Sequence, residues 1–257
     1  MTQSREEKGA STAATITMEQ AWTIARQFAR EVGEQLGDHA RAVVAIGSLA
    51  TEAYRPGRSD IDTALIVRDT TPPTHRLQAL AQQYRIWHGI PKDFGAVVVR
   101  ERELRPPYDP KRGLVKEMLR LKRQGIVLWG SYDLRALPEP SAADFRADAR
   151  AFYPWLRAHY IDRRPEAERT VDAVVNTIIE ELRLYSWDRQ GELILDKRAV
   201  LPRFLSLTPA APAREALTAM QAYLAADGAL DDVAAAEATL RDLSQFVRHA
   251  VPWSNPP

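Results

Sequence analysis

The stretch from residue 43 to residue 67, VVAIGSLATEAYRPGRSDIDTALIV, constrains this chain more than any other. It joins two short apolar runs, AVVAI at 42–46 and TALIV at 63–67, with the length and composition of buried strands. The first stops at Gly47-Ser48, and the second is preceded by Asp60-Ile61-Asp62. A strand sends residues i and i+2 to one face, so both carboxylates project together while Ile61 enters the core. Burying charge is costly without a compensating partner. Two carboxylates about 4 Å apart repel by roughly 4 kcal/mol at an effective dielectric near 20. A divalent cation removes that repulsion. An all-oxygen ligand set suits Mg²⁺ or Mn²⁺ better than zinc, and Mg²⁺ commonly joins protein carboxylates to substrate phosphates. A glycine turn with free N–H groups and a hydroxyl suits the phosphate oxygens. The segment therefore specifies a metal–triphosphate site, with Gly47 and Ser48 on the phosphate side and Asp60 and Asp62 on the metal side. Asp93 precedes a third apolar run, FGAVVV at 94–99. If that strand lies beside TALIV, Asp93 reaches the same spot.

Around this segment the pattern alternates. Ala21, Ile24, Ala25, Phe28, Val32 and Leu36 recur at helical spacing over 17–36, with Thr15 or Thr17 as the cap. PPTHRLQALAQQYRIW at 72–87 reads as a helix begun after prolines, and LVKEMLRLKRQ as a helix ended near Gly125, ahead of a strand IVLWG. Beyond Pro138 and Pro140, which break any regular element, the apolar periods are helical and no comparable strand run occurs. The expected fold class is α+β: a small mixed sheet with flanking helices over 15–137, then an all-helical domain over 138–257. Residues 1–14 are expected to be a disordered leader.

Composition narrows the function. A net charge of +1 weighs against nucleic acid or a membrane as a bulk partner. The absence of cysteine excludes disulfides and thiolate metal sites. No apolar run reaches the roughly 18 to 20 residues of a membrane span, and the first residues lack the apolar core of a signal peptide. A cytoplasmic location is expected.

The run IGS, eleven residues, then DIDTALIV resembles the signature of the DNA polymerase β-type nucleotidyltransferase superfamily. Gly47, Ser48, Asp60, Asp62 and Asp93 take its places. The resemblance implies that Ser48 and its turn hold a nucleotide's phosphates and that Asp60 and Asp62 bind two Mg²⁺ ions. Asp93 would bind metal or take the proton of an acceptor hydroxyl. Within that superfamily the chain is similar to aminoglycoside adenylyltransferases of the spectinomycin/streptomycin type, which also carry a helical C-terminal domain. LKRQGIVLWGSYD looks like the helix and strand closing their first domain, and LRLYSWDRQGELILDKRAV like their Arg-x-x-Tyr-Ser helix, Gly turn and following Lys. Lys197, and secondarily Arg183, then lie near the triphosphate. The implied reaction moves AMP from ATP to a hydroxyl of a small molecule, an aminoglycoside-like antibiotic being the leading acceptor, in a cleft between the two domains. The competing readings are transfer to tRNA or protein, as in toxin–antitoxin relatives, and a non-catalytic nucleotide-binding regulator. The third carboxylate here is Asp where the family pattern has Glu. Glu180-Glu181 are either exposed helix acids or a carboxylate for a cationic acceptor. Trp87, Trp129, Trp155 and Trp187 are expected in the core, and His75, His88, His159 and His249 lack ligand spacing.

Overall fold

The structure is a computed structural model that describes residues 15–57, 59–69, 74–90, 94–110, 113–158, 175, 178–183, 186–187, 193–207, 218 and 221. The expected leader at 1–14, the carboxylate Asp93 and much of the expected helical region after 158 lie outside these residues. By contact the chain separates into two compact units: Met1–Leu104 with Arg120–Leu137, and Arg105–Leu119 with Pro138–Pro257. None of the described helices is long and apolar enough to cross a membrane.

The first unit opens with helix α1, Met18–Leu36. Thr17 caps it in a reciprocal box. The Thr17 hydroxyl accepts from the Gln20 N–H at 3.2 Å, and the Gln20 side chain accepts from the Thr17 N–H at 2.8 Å, satisfying two backbone donors at the helix start. The apolar spacing that predicts the helix also supplies its buried face: Ala21, Ile24, Ala25, Phe28, Ala29 and Val32. Strand β1, Ala40–Ile46, follows and leads directly into a single helical turn, α2, Gly47–Ala50. Strand β2 is Ile61–Val67, helix α3 Thr74–Trp87 and strand β3 Phe94–Arg100. Helix α4, Leu114–Gln124, precedes strand β4, Ile126–Gly130.

The four strands form one mixed sheet in the order β3-β2-β1-β4. β1 pairs antiparallel with β2 and β4, while β2 pairs parallel with β3 through the α3 crossover. β1 and β2 occupy the two inner places and are buried at nearly every position, which is why their sequences run as continuous apolar stretches rather than alternating. Both expected strands begin earlier than their apolar runs, at Ala40 and at Ile61. α1 and α3 join this core through Phe28, Tyr84 and Phe94, whose rings pack 4.6 to 6.0 Å apart. Trp129 packs on Gly33 of α1, where any side chain would overlap the indole. Trp87 corrects an expectation: it is 60% exposed. It is the last residue of α3, and the buried face of that helix is carried by Leu77, Leu80, Ala81 and Tyr84. The side chain of Trp155 lies outside the described residues.

The described elements of the second unit are helical. Helix α5, Ala142–Arg157, starts at a Ser141–Asp144 box in which each side chain accepts from the other residue's N–H. Residues 178–183 are helical, and helix α6 is Lys197–Leu207. Trp187 is buried against Phe145, with ring centroids 4.3 Å apart.

Asp148 of α5 is only 4% exposed. Burial pushes its carboxyl up to about 7, against the N–H groups of Val115 and Lys116 and the Lys116 charge, which favour the anion; Glu117 adds to the rise. The folded chain therefore keeps a proton that the unfolded chain releases above its ordinary 3.8. Stability is expected to fall as pH rises from about 4 to about 7 and then to level off. Asp148→Asn removes the titrating group and keeps an acceptor for the two N–H groups. Urea denaturation at pH 5 and pH 8 is expected to show the variant gaining stability over the parent at pH 8. Equal pH slopes in the two proteins would exclude Asp148 as the cause.

Candidate active site

The two inner strands flank the Gly-Ser…Asp-x-Asp segment and carry Ile46 and Asp62. Ile46, the last residue of β1, pairs with Asp62, the second residue of β2. Ile61 is fully buried, as alternation predicts, while Asp60 and Asp62 are partly exposed on either side of it. The chain leaves β1 through Gly47 at φ +69°, a left-handed conformation that strains any residue with a Cβ. A Cβ there would also stand 2.5 Å from Asp62 Oδ2. On the other side, Asp62 is in register with Gly95 of β3. A Cβ on Gly95 would stand 2.7 Å from Asp62 Oδ1. The Asp62 carboxylate thus sits between two glycines, Gly47 just past the end of β1 and Gly95 in β3, one against each oxygen. Thr63 Oγ1 donates to the Gly95 carbonyl at 3.0 Å, tying β2 to β3 beside this point.

The connection from α2 to β2 is held by its own hydrogen bonds. The Ala53 N–H donates to the Ser48 carbonyl, and the Thr51 hydroxyl to the Gly47 carbonyl. The Arg55 N–H donates to Ser59 Oγ while the Ser59 N–H donates to the Arg55 carbonyl, both at 2.9 Å. That reciprocal pair closes the loop immediately before Asp60. Ser48 Oγ is buried without a hydrogen-bond partner among the described residues, and so is the phenol of Tyr54. Burial, and then the Asp60 charge, raise the Tyr54 phenol above its ordinary value. Buried polar groups normally find partners. Two orphan hydroxyls on the segment that carries the acids fit a polar ligand.

Among the described residues no group of three His, Cys, Asp or Glu is arranged to hold a metal. Asp60 and Asp62 are a pair. β3 does lie beside β2, the condition set for Asp93, but Asp93 itself is outside the described residues. A cavity of about 500 Å³ in the first unit is lined by residues of the α4–β4 region, including Lys122, Arg123 and Arg135, and by none of the candidate residues.

Lys197 and Arg183 belong to the second unit. Lys197 is exposed as the first residue of α6, a cation at a helix N-terminus, a combination that favours anions. Arg183 is buried, with its guanidinium directed to Glu180 and to the carbonyls of Ile194 and Leu195.

Sequence reasoning missed Gly95 and Tyr54. The first had a legible signal, since a glycine inside an apolar strand marks a close approach. A tyrosine in a loop carries no comparable mark, because its burial depends on how the loop folds back.

No protein-family model matches the chain, and no curated protein matches it in sequence. Solved structures do match. The spectinomycin adenyltransferase AAD(9) from Enterococcus faecialis, crystallised with ATP and spectinomycin, has a TM-score of 0.64 and 14% identity to this chain. The match covers 91% of this chain and 99% of that one. A toxin–antitoxin structure with AMP-PNP is 18% identical over 54% of this chain and 94% of its own, with a TM-score of 0.30, too low to carry an argument. The first likeness shows the fold, an α+β chain built on a small mixed sheet, in keeping with the expected fold class.

Proposed function

We propose that this chain is a nucleotidyltransferase that moves a nucleoside monophosphate, AMP from ATP first of all, to a hydroxyl of a small molecule. The observation that carries the reading is the seat of Asp62, with a glycine against each carboxylate oxygen; on the same segment the Ser48 hydroxyl is buried with no hydrogen-bond partner among the described residues. A Cβ at either glycine would displace the carboxylate, so the two glycines fix where Asp62 holds its oxygens.

The donor set, the two carboxylates of Asp60 and Asp62, fits Mg²⁺, with both as its protein ligands. When bound, Mg²⁺ supplies charge neutralisation for the triphosphate and for the oxygens entering and leaving phosphorus. The protein's part is positioning. Ser48 and the Gly47 turn hold phosphate oxygens. Lys197 offsets further triphosphate charge. Asp93 takes the acceptor's proton. The acceptor oxygen then forms a bond to the α-phosphorus as the bond from that phosphorus to the bridging oxygen breaks, and pyrophosphate leaves. The adenyltransferase sharing this fold was crystallised with spectinomycin, which makes aminoglycoside-like antibiotics the first acceptors to test.

The test is pyrophosphate release from ATP, GTP, CTP and UTP against spectinomycin, other aminoglycosides, lincosamides and tRNA. Release is expected with ATP and a small-molecule hydroxyl. Label from ATP appearing on RNA or protein would replace the acceptor class. Mg²⁺-dependent nucleotide binding with no release across all acceptors would overturn catalysis in favour of a regulator.

A further inference from the structure

The Arg183 side chain is directed at the segment that carries Lys197. Its Nε donates to the Ile194 carbonyl at 2.8 Å, and a second guanidinium nitrogen donates to the Leu195 carbonyl at 2.5 Å. A third donates to Glu180 Oε1. The other oxygen of Glu180 accepts from Lys116 Nζ at 2.9 Å, so one carboxylate is held between two cations. At 1% exposure the guanidinium is shielded from solvent, which makes each of these bonds hard to give up.

The two carbonyls immediately precede Asp196, and Asp196 caps α6. Its Oδ1 accepts from the Arg198 N–H at 2.9 Å, and its carbonyl from the Ala199 N–H at 3.1 Å. Burial acts to raise the Asp196 carboxyl, but the Arg198 hydrogen bonds and the Arg198 and Arg183 charges hold it below its ordinary value. The cap is therefore kept as an acceptor for the helix N–H groups. The next residue is Lys197. From Arg183 to the Lys197 backbone the path is two carbonyls, one cap and one peptide bond.

The geometry points to Arg183 as a positioning residue for Lys197, not as a ligand of the phosphates, with Glu180 and Lys116 fixing the guanidinium. The planar fork of arginine meets two successive carbonyls and a carboxylate at once. A lysine ammonium is a single point on a flexible stem and cannot reproduce that span. This inference rests on the reading that Lys197 meets the triphosphate.

Arg183→Lys, Glu180→Gln and Lys197→Ala in the full chain test it, each checked first for folding by circular dichroism. Two readouts separate the clamp from the nucleotide reading. Backbone hydrogen exchange at 193–199, without nucleotide, is expected to quicken about tenfold in Arg183→Lys, because the clamp's span is lost. Mg·ATP affinity by calorimetry is expected to fall about tenfold in both Arg183→Lys and Lys197→Ala. The double variant is expected to lose no more than Lys197→Ala alone, since one effect acts through the other. Glu180→Gln is the milder variant and covers the case in which Arg183→Lys fails to fold; it is expected to move both readouts in the same direction. Unchanged exchange at 193–199 in every folded variant would overturn the clamp. Additive losses of affinity would make Arg183 a direct ligand and overturn it too. Faster exchange with no loss of ATP affinity in Lys197→Ala would overturn the nucleotide reading of Lys197, and with it the catalytic meaning of the clamp.

Discussion

Asp62→Asn is expected to abolish transfer while leaving the fold intact. The substitution keeps the shape of a side chain wedged between Gly47 and Gly95, so packing around it is retained. It removes the negative charge that the proposed Mg²⁺ requires. Losing a principal electrostatic contact to the reacting phosphate costs about 10³-fold in turnover, or about 4 kcal/mol of barrier. Steady-state pyrophosphate release would show the loss, and thermal unfolding would show that the fold is unchanged. Because Asp62 is partly exposed on a strand whose other side chains are buried, removing its charge uncovers no apolar surface. Near-normal turnover in Asp62→Asn would defeat the assignment of this pair as the reacting centre.

Gly95→Ala is expected to separate activity from stability. Gly95 has ordinary strand geometry, so alanine brings no backbone strain, and an added Cβ in a strand is neutral or mildly favourable for stability. That Cβ would stand 2.7 Å from Asp62 Oδ1. The backbone is locked by the β2–β3 ladder; the carboxylate, at the end of a rotatable side chain, is the part that moves. A displacement of about 1 Å in a catalytic group can cost about 10²-fold. The expected result is a chain with unchanged or slightly raised melting temperature and about a hundredfold lower turnover. Gly47→Ala is a poorer probe, because φ +69° adds strain to the clash. If Gly95→Ala kept full turnover, the close seat of Asp62 would be packing without function.

Both experiments start from residues of unequal visibility. Asp62 stands out in the sequence because an acid beside an apolar run is an electrostatic oddity that a site explains. Gly95 is one glycine in a strand, and its meaning depends on register. Only the pairing of Asp62 with Gly95, and of Ile46 with Asp62, makes Gly95 and the turn glycine Gly47 the walls of a carboxylate seat. Arg183 reverses the lesson. The sequence resemblance places it near a nucleotide, whereas its depth and its hydrogen bonds to the Ile194 and Leu195 carbonyls tie it to the chain ahead of Lys197. Trp87 shows the same limit, since an aromatic at the end of a helical period can fall just past the buried face.

What the sequence determined by itself is local and periodic. Apolar runs of strand length, helical spacing of Ala21 through Leu36, a capping threonine and the i, i+2 geometry of the two acids follow from backbone repeats of 2.0 and 3.6 residues. These features depend on neighbours along the chain, so they are legible there. Tertiary structure decided which strand lies beside which, hence which glycines face Asp62. It decided that the Tyr54 phenol is buried where the Asp60 charge acts on it, and that Arg183 reaches eleven and twelve residues along the chain to two carbonyls. Those contacts are set by register and by the burial of groups far apart in sequence.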